Sequence, residues 1–405
     1  MRENAIATTC AIAGGGPAGV MLGLLLARAG IEVTVLEKHA DFLRDFRGDT
    51  IHPSTLEVMH ELGLLDALLA RPHEKMREAG VEIGGRFLKA ADFSHLPTRC
   101  KFIAFMPQWH FLDFLAEAGR RYPGFHLRME TEVTGLIETE GRVAGLRAAT
   151  PDGPLDIRAD LVIGADGRGS VVRDRAGLAV RDFGAPKDVL WMRLTRQPDD
   201  PSDTLFRVVP GHLVITIDRG DYWQCAFVIE KGSFDKVKAK GLDAFRAEIA
   251  RVLPFAAGRL NELASWDDVK LLTVKVDRLR EWARAGLLCI GDAAHAMSPV
   301  GGVGINLAIQ DAVAAANLLA GPLRDGRLTL DDLRAVQWRR MFPTRVTQVV
   351  QVFLQRRVIA PMLRGEGDIS VPLPLRLLNR FPLLRRLPGY AVGVGARPEH
   401  VEVEG

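Results

Sequence analysis

The chain has 405 residues, 47% of them hydrophobic and 25% charged, with a net charge of +3. That is ample for a large core in two joined domains. Lys and Arg form no dense block, so nucleic acid is excluded as a partner. Cys10, Cys100, Cys225 and Cys289 lie far apart without CxxC spacing, which argues against a metal centre and for reduced thiols in a cytoplasmic protein. The early apolar run 20–27 is too short to span a bilayer. The start lacks the basic region and cleavage site of a signal peptide.

In chain order, residues 8–13 read as a buried strand. Gly14-Gly15-Gly16-Pro17-Ala18-Gly19 follows, then an apolar helix to Ala29, stopped by Gly30. Residues 31–36 form a second strand that ends at Glu37 and Lys38. A GxGxxG between strand and helix is the dinucleotide fingerprint in its required setting. Gly14 permits the tight turn, Gly16 lets the backbone approach a pyrophosphate, and Gly19 lets helix and strand pack closely. Glu37 can accept hydrogen bonds from a ribose. Arg47-Gly48-Asp49 leads to a helix that Pro53 opens and Gly63 ends, with His52 read as structural.

Residues 81–93 and 102–106 are predicted strands, and Pro107 ends the second. Gln108 opens the helix 109–121. Residues 125–149 hold two or three strands. The strand 161–163 runs into Gly164, Asp166 and Gly167, with Ser170 and Arg173 downstream. From 182 to 276 the texture is antiparallel: strands at 190–194, 213–218 and 222–229, with a hairpin turn at Asp218-Arg219-Gly220-Asp221 and a helix at 242–253.

A short strand at 286–290 then delivers the glycine-dense stretch Gly291-Asp292 to Gly301-Gly302-Val303-Gly304-Ile305-Asn306. Helical spacing begins at Gly304 and lasts to about residue 319. The start of that helix aims free N–H groups and a partial positive charge at whatever the glycines approach, which suits a ring that becomes anionic. Thr329 is predicted to cap a long helix beginning at Asp331, which Pro343 should kink. The tail 345–388 interleaves Arg356, Arg357, Arg364, Arg376, Arg380, Arg385 and Arg386 with apolar residues. It reads either as a helical clamp with solvated arginines or as a membrane-surface or partner-binding element.

The run GDAAHxxxPxxGxGxN at 291–306 closely resembles the second flavin motif of the para-hydroxybenzoate hydroxylase class of single-component FAD-dependent aromatic monooxygenases. Residues 161–173 resemble that family's middle motif, and the resemblance extends over 8–319. It implies an α/β fold: a Rossmann-type FAD-binding domain built from 1–75, 108–180 and 277–325, an interleaved antiparallel-sheet substrate domain from 76–107 and 181–276, and a C-terminal helical region, 326–405. It implies tight non-covalent FAD, NAD(P)H as a transient co-substrate, and O2 activated as a flavin C4a-hydroperoxide that hydroxylates an aromatic small molecule.

By the same resemblance Gly14, Gly16, Pro17, Ala18, Gly19, Glu37, Lys38, Asp166, Gly167, Gly291, Asp292, Gly302, Gly304, Ile305 and Asn306 line the cofactor. Arg47 and Pro299 stand beside both cofactor and reacting ring. For Arg47 a surface ion pair is the alternative. Gln108 contacts the ribityl chain or serves as a helix N-cap. A single GxGxxG disfavours the disulfide reductases, and the WxWxIP box of flavin halogenases is absent. Two other readings remain: a flavin oxidase or reductase on an aliphatic or isoprenoid substrate, and a non-enzymatic escort of lipidated partners. His110, His212 and Tyr222 are candidate substrate bases. The sequence carries no signal for oligomeric state.

Strand alternation sets out stripes: Leu190, Met192 and Leu194; Leu213, Ile215 and Ile217; Trp223, Cys225, Phe227 and Ile229. These are expected to form an apolar pocket wall, with Arg193 pointing away. Without a cation to pair a small benzoate, the predicted substrate is a large, mostly apolar phenolic or polycyclic compound. Arg47, reaching over from the other domain, would be the exception.

Overall fold

The strand Ala5–Ala13 is apolar on both faces from Cys10 to Ala13, as a strand covered by helices on both sides must be. In the computed structural model, which describes residues 5–43, 50–201, 205–359 and 371–403, it lies inside a parallel set. It pairs with Gly153–Gly164 on one side and Val33–Leu36 on the other. Leu287–Cys289 extends the set beyond Gly153–Gly164, and Phe125–Arg128 extends it beyond Val33–Leu36. A hairpin, Glu132–Thr139 and Arg142–Thr150, joins antiparallel through Gly153–Gly164. Arg47 and Arg364 lie outside the described residues.

Helix Pro17–Arg28 is mostly buried and packs against helix Gly304–Arg324. The span Val300–Arg324 is long and apolar enough to cross a membrane, yet 78% of its apolar window is buried in the protein, which makes it a core helix. Thr329 caps the long helix Leu330–Leu354 in a capping box with Asp332. That helix runs through Pro343 as a single element.

The second sheet has seven strands, in the order Lys270–Leu272, Lys187–Thr195, Tyr222–Glu230, His212–Asp218, Leu205–Val209, Glu78–Ile83, Arg86–Asp92. One face is covered by helix Leu242–Val252 and the turn Pro254–Glu262. A third, small sheet pairs Ile103–Phe105 with Thr50–Ile51 and Glu74–Met76. It links the two larger sheets: Phe105 clusters with Ile217 of the second, and Thr50 Oγ1 donates to the Gly302 carbonyl at 2.9 Å.

Candidate active site

Four neighbouring parallel strands end at one edge, and their ends bring the sequence motifs together. Leu287–Cys289 leads to Gly291, Gly153–Gly164 to Asp166, Ala5–Ala13 to Gly14, and Val33–Leu36 to Glu37. The carboxyl edge of such a sheet is where α/β folds bind ligands. Gly14 has φ +106°, and a Cβ there would meet Ala165 O at 2.4 Å. On Gly19 a Cβ would meet Gly14 O at 1.9 Å. On Gly16 it would meet nothing within 4 Å, so the space beside Gly16 belongs to no protein atom. Pro17 opens the helix, Ala18 is buried on it, and no side chain caps its N-terminus. Glu37 orders this turn: Oε2 accepts from Gly15 N at 3.2 Å and Oε1 from His39 N at 3.0 Å. Lys38 beside it is exposed.

The middle motif is self-bound. Asp166 accepts from Ser170 Oγ at 2.5 Å and from Val172 N at 3.1 Å, fixing the start of helix Val171–Arg175. Burial raises its pKa against those bonds. Gly167, at φ +83°, faces open space. Arg168 reaches across to Asp292, Nε to Oδ2 at 2.9 Å, an ion pair the sequence reading missed.

At the other end of this edge, helix Gly304–Arg324 starts with no side-chain cap, so its first N–H groups and dipole face the loop. Ile305 is buried in its first turn. Pro299 is exposed at the start of the turn Val300–Gly302. Three expectations change in meaning. A Cβ on Gly291 would crowd Ala18 and Ala308 at 3.1 and 3.3 Å, so glycine there serves helix packing. A Cβ on Gly302 would strike Thr50 Oγ1 at 2.2 Å, so this glycine lets the loop seat on the small sheet. Asn306, expected to bind cofactor, has its amide fully occupied by protein. Oδ1 accepts from His52 N and Thr55 Oγ1, and Nδ2 donates to Thr50 O and Gly302 O. A carboxamide has no further strong bonds to give, so only its backbone is left for a ligand.

Gln108 is the first residue of helix Gln108–Gly119, whose N-cap is Pro107, and its side chain caps nothing, which removes the capping alternative. It is buried. His52 is structural: Nδ1 lies 2.7 Å from Val392 O, and burial lowers its pKa to about 4.

A set of side chains on the long helix was also missed. Gln348, Gln351 and Gln355 lie along one buried face and bond the loop backbone and side chains. Gln351 Nε2 donates to Ser298 O and Val300 O, both at 2.9 Å, and Gln348 Nε2 donates to Asp277 O at 2.7 Å. Glutamines spaced three and four apart were the available signal. Above them Asp311 accepts from Gly291 N at 3.1 Å, His295 Nε2 at 2.6 Å and Arg340 Nε at 3.0 Å, and Arg340 continues to Glu399 at 3.1 Å. Arg340, which is buried, the glutamines after it and Glu399 thus clamp the loop to the core.

Of the three stripes expected to form the pocket wall, two face the other way, and the third, with Ile215 and Ile217, lies on the inner face. Leu190, Met192, Leu194, Trp223, Cys225, Phe227 and Ile229 form a core with Phe245 and Ile249 of the covering helix, away from the cofactor edge. The opposite face carries Trp191, Ile215 and Ile217, which cluster with Ile103 and Phe105 of the small sheet. Arg193, pointing away from Leu190 as read, therefore lies on the inner face and stacks on Tyr222 at 4.6 Å. His212 contacts Phe227 and Arg251 on the covered side, which removes it as a substrate base. His110 stays beside the helix start, with its pKa lowered by burial and by Arg71.

The free space at Gly16, two uncapped helix starts and a carboxylate at Glu37 fit a pyrophosphate, an ionisable ring and a ribose. The family described as "FAD binding domain" matches residues 7–349. The chain belongs to the FAD-dependent aromatic monooxygenases. It is 35% identical to 6-methylpretetramide 4-monooxygenase of Streptomyces rimosus, over 93% of this chain and 90% of that protein. It is 30% identical to the 12-dehydrotetracycline 5-monooxygenase/anhydrotetracycline 6-monooxygenase of Streptomyces rimosus subsp. rimosus, over 75% of this chain and 60% of that protein. The solved structure of p-nitrophenol 4-monooxygenase from Pseudomonas putida DLL-E4 shares the fold, with a TM-score of 0.78 at 20% identity, covering 97% of this chain and 100% of the other. The protein is accordingly an enzyme, with FAD as its cofactor and NAD(P)H as co-substrate.

Proposed function

We propose that the enzyme hydroxylates a large polycyclic phenol. The observation that carries this is the near full-length likeness to a relative named for 6-methylpretetramide. The inner face of the substrate sheet supports it: Trp191, Ile215 and Ile217 with Phe105 offer a broad, apolar and partly aromatic wall. Arg193, stacked on Tyr222 on that face, is the cation that pairs with the acidic phenol or enol of such a substrate. When bound, FAD accepts reducing equivalents from NAD(P)H and activates O2 for transfer of one oxygen atom.

The chain's residues hold the site. Glu37 and the Gly16 turn seat the adenosine end, and Asp292 accepts from the ribityl chain. The Gly304 helix start stabilises negative charge on the ring. The apolar wall excludes water and orients the aromatic substrate. Of the candidate bases, we assign the phenolic proton to His110, in the first turn of the helix that Gln108 opens.

The test is a ligand panel on the FAD-loaded enzyme, read by stimulated NAD(P)H oxidation and by product mass. Tetracyclic phenols are expected to give coupled turnover and a product heavier by one oxygen atom. Coupled turnover with simple hydroxybenzoates alone overturns the substrate class. Oxidation without oxygen insertion favours the oxidase reading.

A further inference from the structure

Helix Leu373–Arg380, the turn Pro382–Arg385 and helix Arg386–Gly393 form a hairpin against the outermost strand of the substrate sheet, Arg86–Asp92. The inner side is firmly seated. Leu375 is buried with Ile83, Leu88 and Val208, and a Cβ on Gly389 would strike Asp92 O at 2.0 Å. The outer side is apolar. Leu373, Leu383 and Leu387 are 67–70% exposed, and Leu377, Phe381 and Tyr390 add to the surface. Interleaved with them, Arg376, Arg380 and Arg386 are exposed. From 371 to 398 the chain holds five arginines and no Asp or Glu.

We propose that this hairpin is a docking face for an anionic lipid membrane. Exposed leucines flanked by cations only are what an interfacial element needs: apolar side chains below the headgroups and guanidinium groups among the phosphates. Each helix has 8 residues, far too short to span a bilayer, so the element lies on the surface. A second copy of the same face is the poorer occupant. An isologous contact would set Arg376, Arg380 and Arg386 of one protomer against those of its partner with no carboxylate on the segment to offset them. The face adjoins the substrate site, because Val392 and Val394, at the end of the hairpin, share a cluster with Ile217. A sparingly soluble aromatic compound held in the bilayer would thus be close to the cleft.

The experiment is co-sedimentation of the FAD-loaded full chain with vesicles of phosphatidylcholine alone or rich in phosphatidylglycerol. Binding is expected only with phosphatidylglycerol and should fall with added salt. Arg376→Gln/Arg380→Gln should weaken binding by about tenfold or more. Leu383→Ser/Leu387→Ser should abolish it, with flavin content and melting temperature unchanged in both variants. Absence of vesicle binding, or wild-type binding by the leucine variant, overturns the proposal. So does a dimer lost in the leucine variant without any vesicle binding.

Discussion

At the Gly14–Gly19 turn the shape is fixed by backbone. Gly14 and Gly19 lie so close to Ala165 and to each other that no side chain fits, and the residues involved are near neighbours in sequence or on adjacent strands. At the other end of the strand edge the loop 291–306 is held by side chains from afar. Asp311, Arg340, Gln351 and Glu399 bond it or bond one another. The first end is a rigid cradle that tolerates nothing inside its turn. The second is a suspended loop tied to a buried charge network.

The sharpest way to break this contrast is at Asp311. Burial would raise its pKa, but the facing His295 and Arg340 hold the carboxyl below the usual range. Its folded pKa is therefore below its unfolded one. The stabilisation is whole at neutral pH and is lost as pH falls below about 4. Asp311→Ala leaves Arg340 short of a partner in a dry site and should cost about 3–5 kcal/mol. We expect the largest fall in melting temperature of any variant considered, with flavin lost at the same time. An unchanged melting curve with flavin retained would show that the loop does not depend on the network.

The same contrast explains what the sequence could tell. The fingerprint, the strand ends and the Gly304 helix start are local demands on backbone, and each glycine states its own need. The Asp311 to Glu399 network is invisible because its members are far apart in the chain and ordinary in type. Two of the three predicted wall stripes failed for a different reason. The second sheet is buried on both faces, so Leu190, Met192 and Phe227 and the opposing Trp191, Ile215 and Ala226 are equally apolar. Alternation separates two faces but cannot name the one that meets a ligand. Asn306 sits within the motif as expected, yet its partners Thr50, His52 and Thr55 appear only once the small sheet is in place.

Two glycines of one turn sharpen the comparison next. A Cβ on Gly19 strikes protein, whereas one on Gly16 enters free space. Gly16→Val should therefore fold with the melting temperature of the flavin-free wild type while binding FAD at least a hundredfold more weakly, about 2.7 kcal/mol. Flavin titration of the two apoproteins gives the answer. Wild-type affinity in the variant means that the pyrophosphate does not lie over Gly16, and the backbone cradle is then something else.

The smallest effect is expected at Asp292, which joins the two ends through Arg168. The pair is about one-third exposed, 27% and 31%, so its attraction is screened and worth little in itself. The carboxylate matters if it accepts a ribityl hydroxyl, a charge-assisted bond of about 1.5 kcal/mol or somewhat more. Asp292→Ala should then weaken FAD about tenfold. The competing origin is the bare Arg168 left behind, disturbing the loop. The double variant Asp292→Ala/Arg168→Gln separates them. If the ribityl bond is the cause, the double variant binds FAD no better than Asp292→Ala. If Asp292 only neutralises Arg168, removing both charges restores wild-type affinity, and the assignment of Asp292 to the cofactor falls.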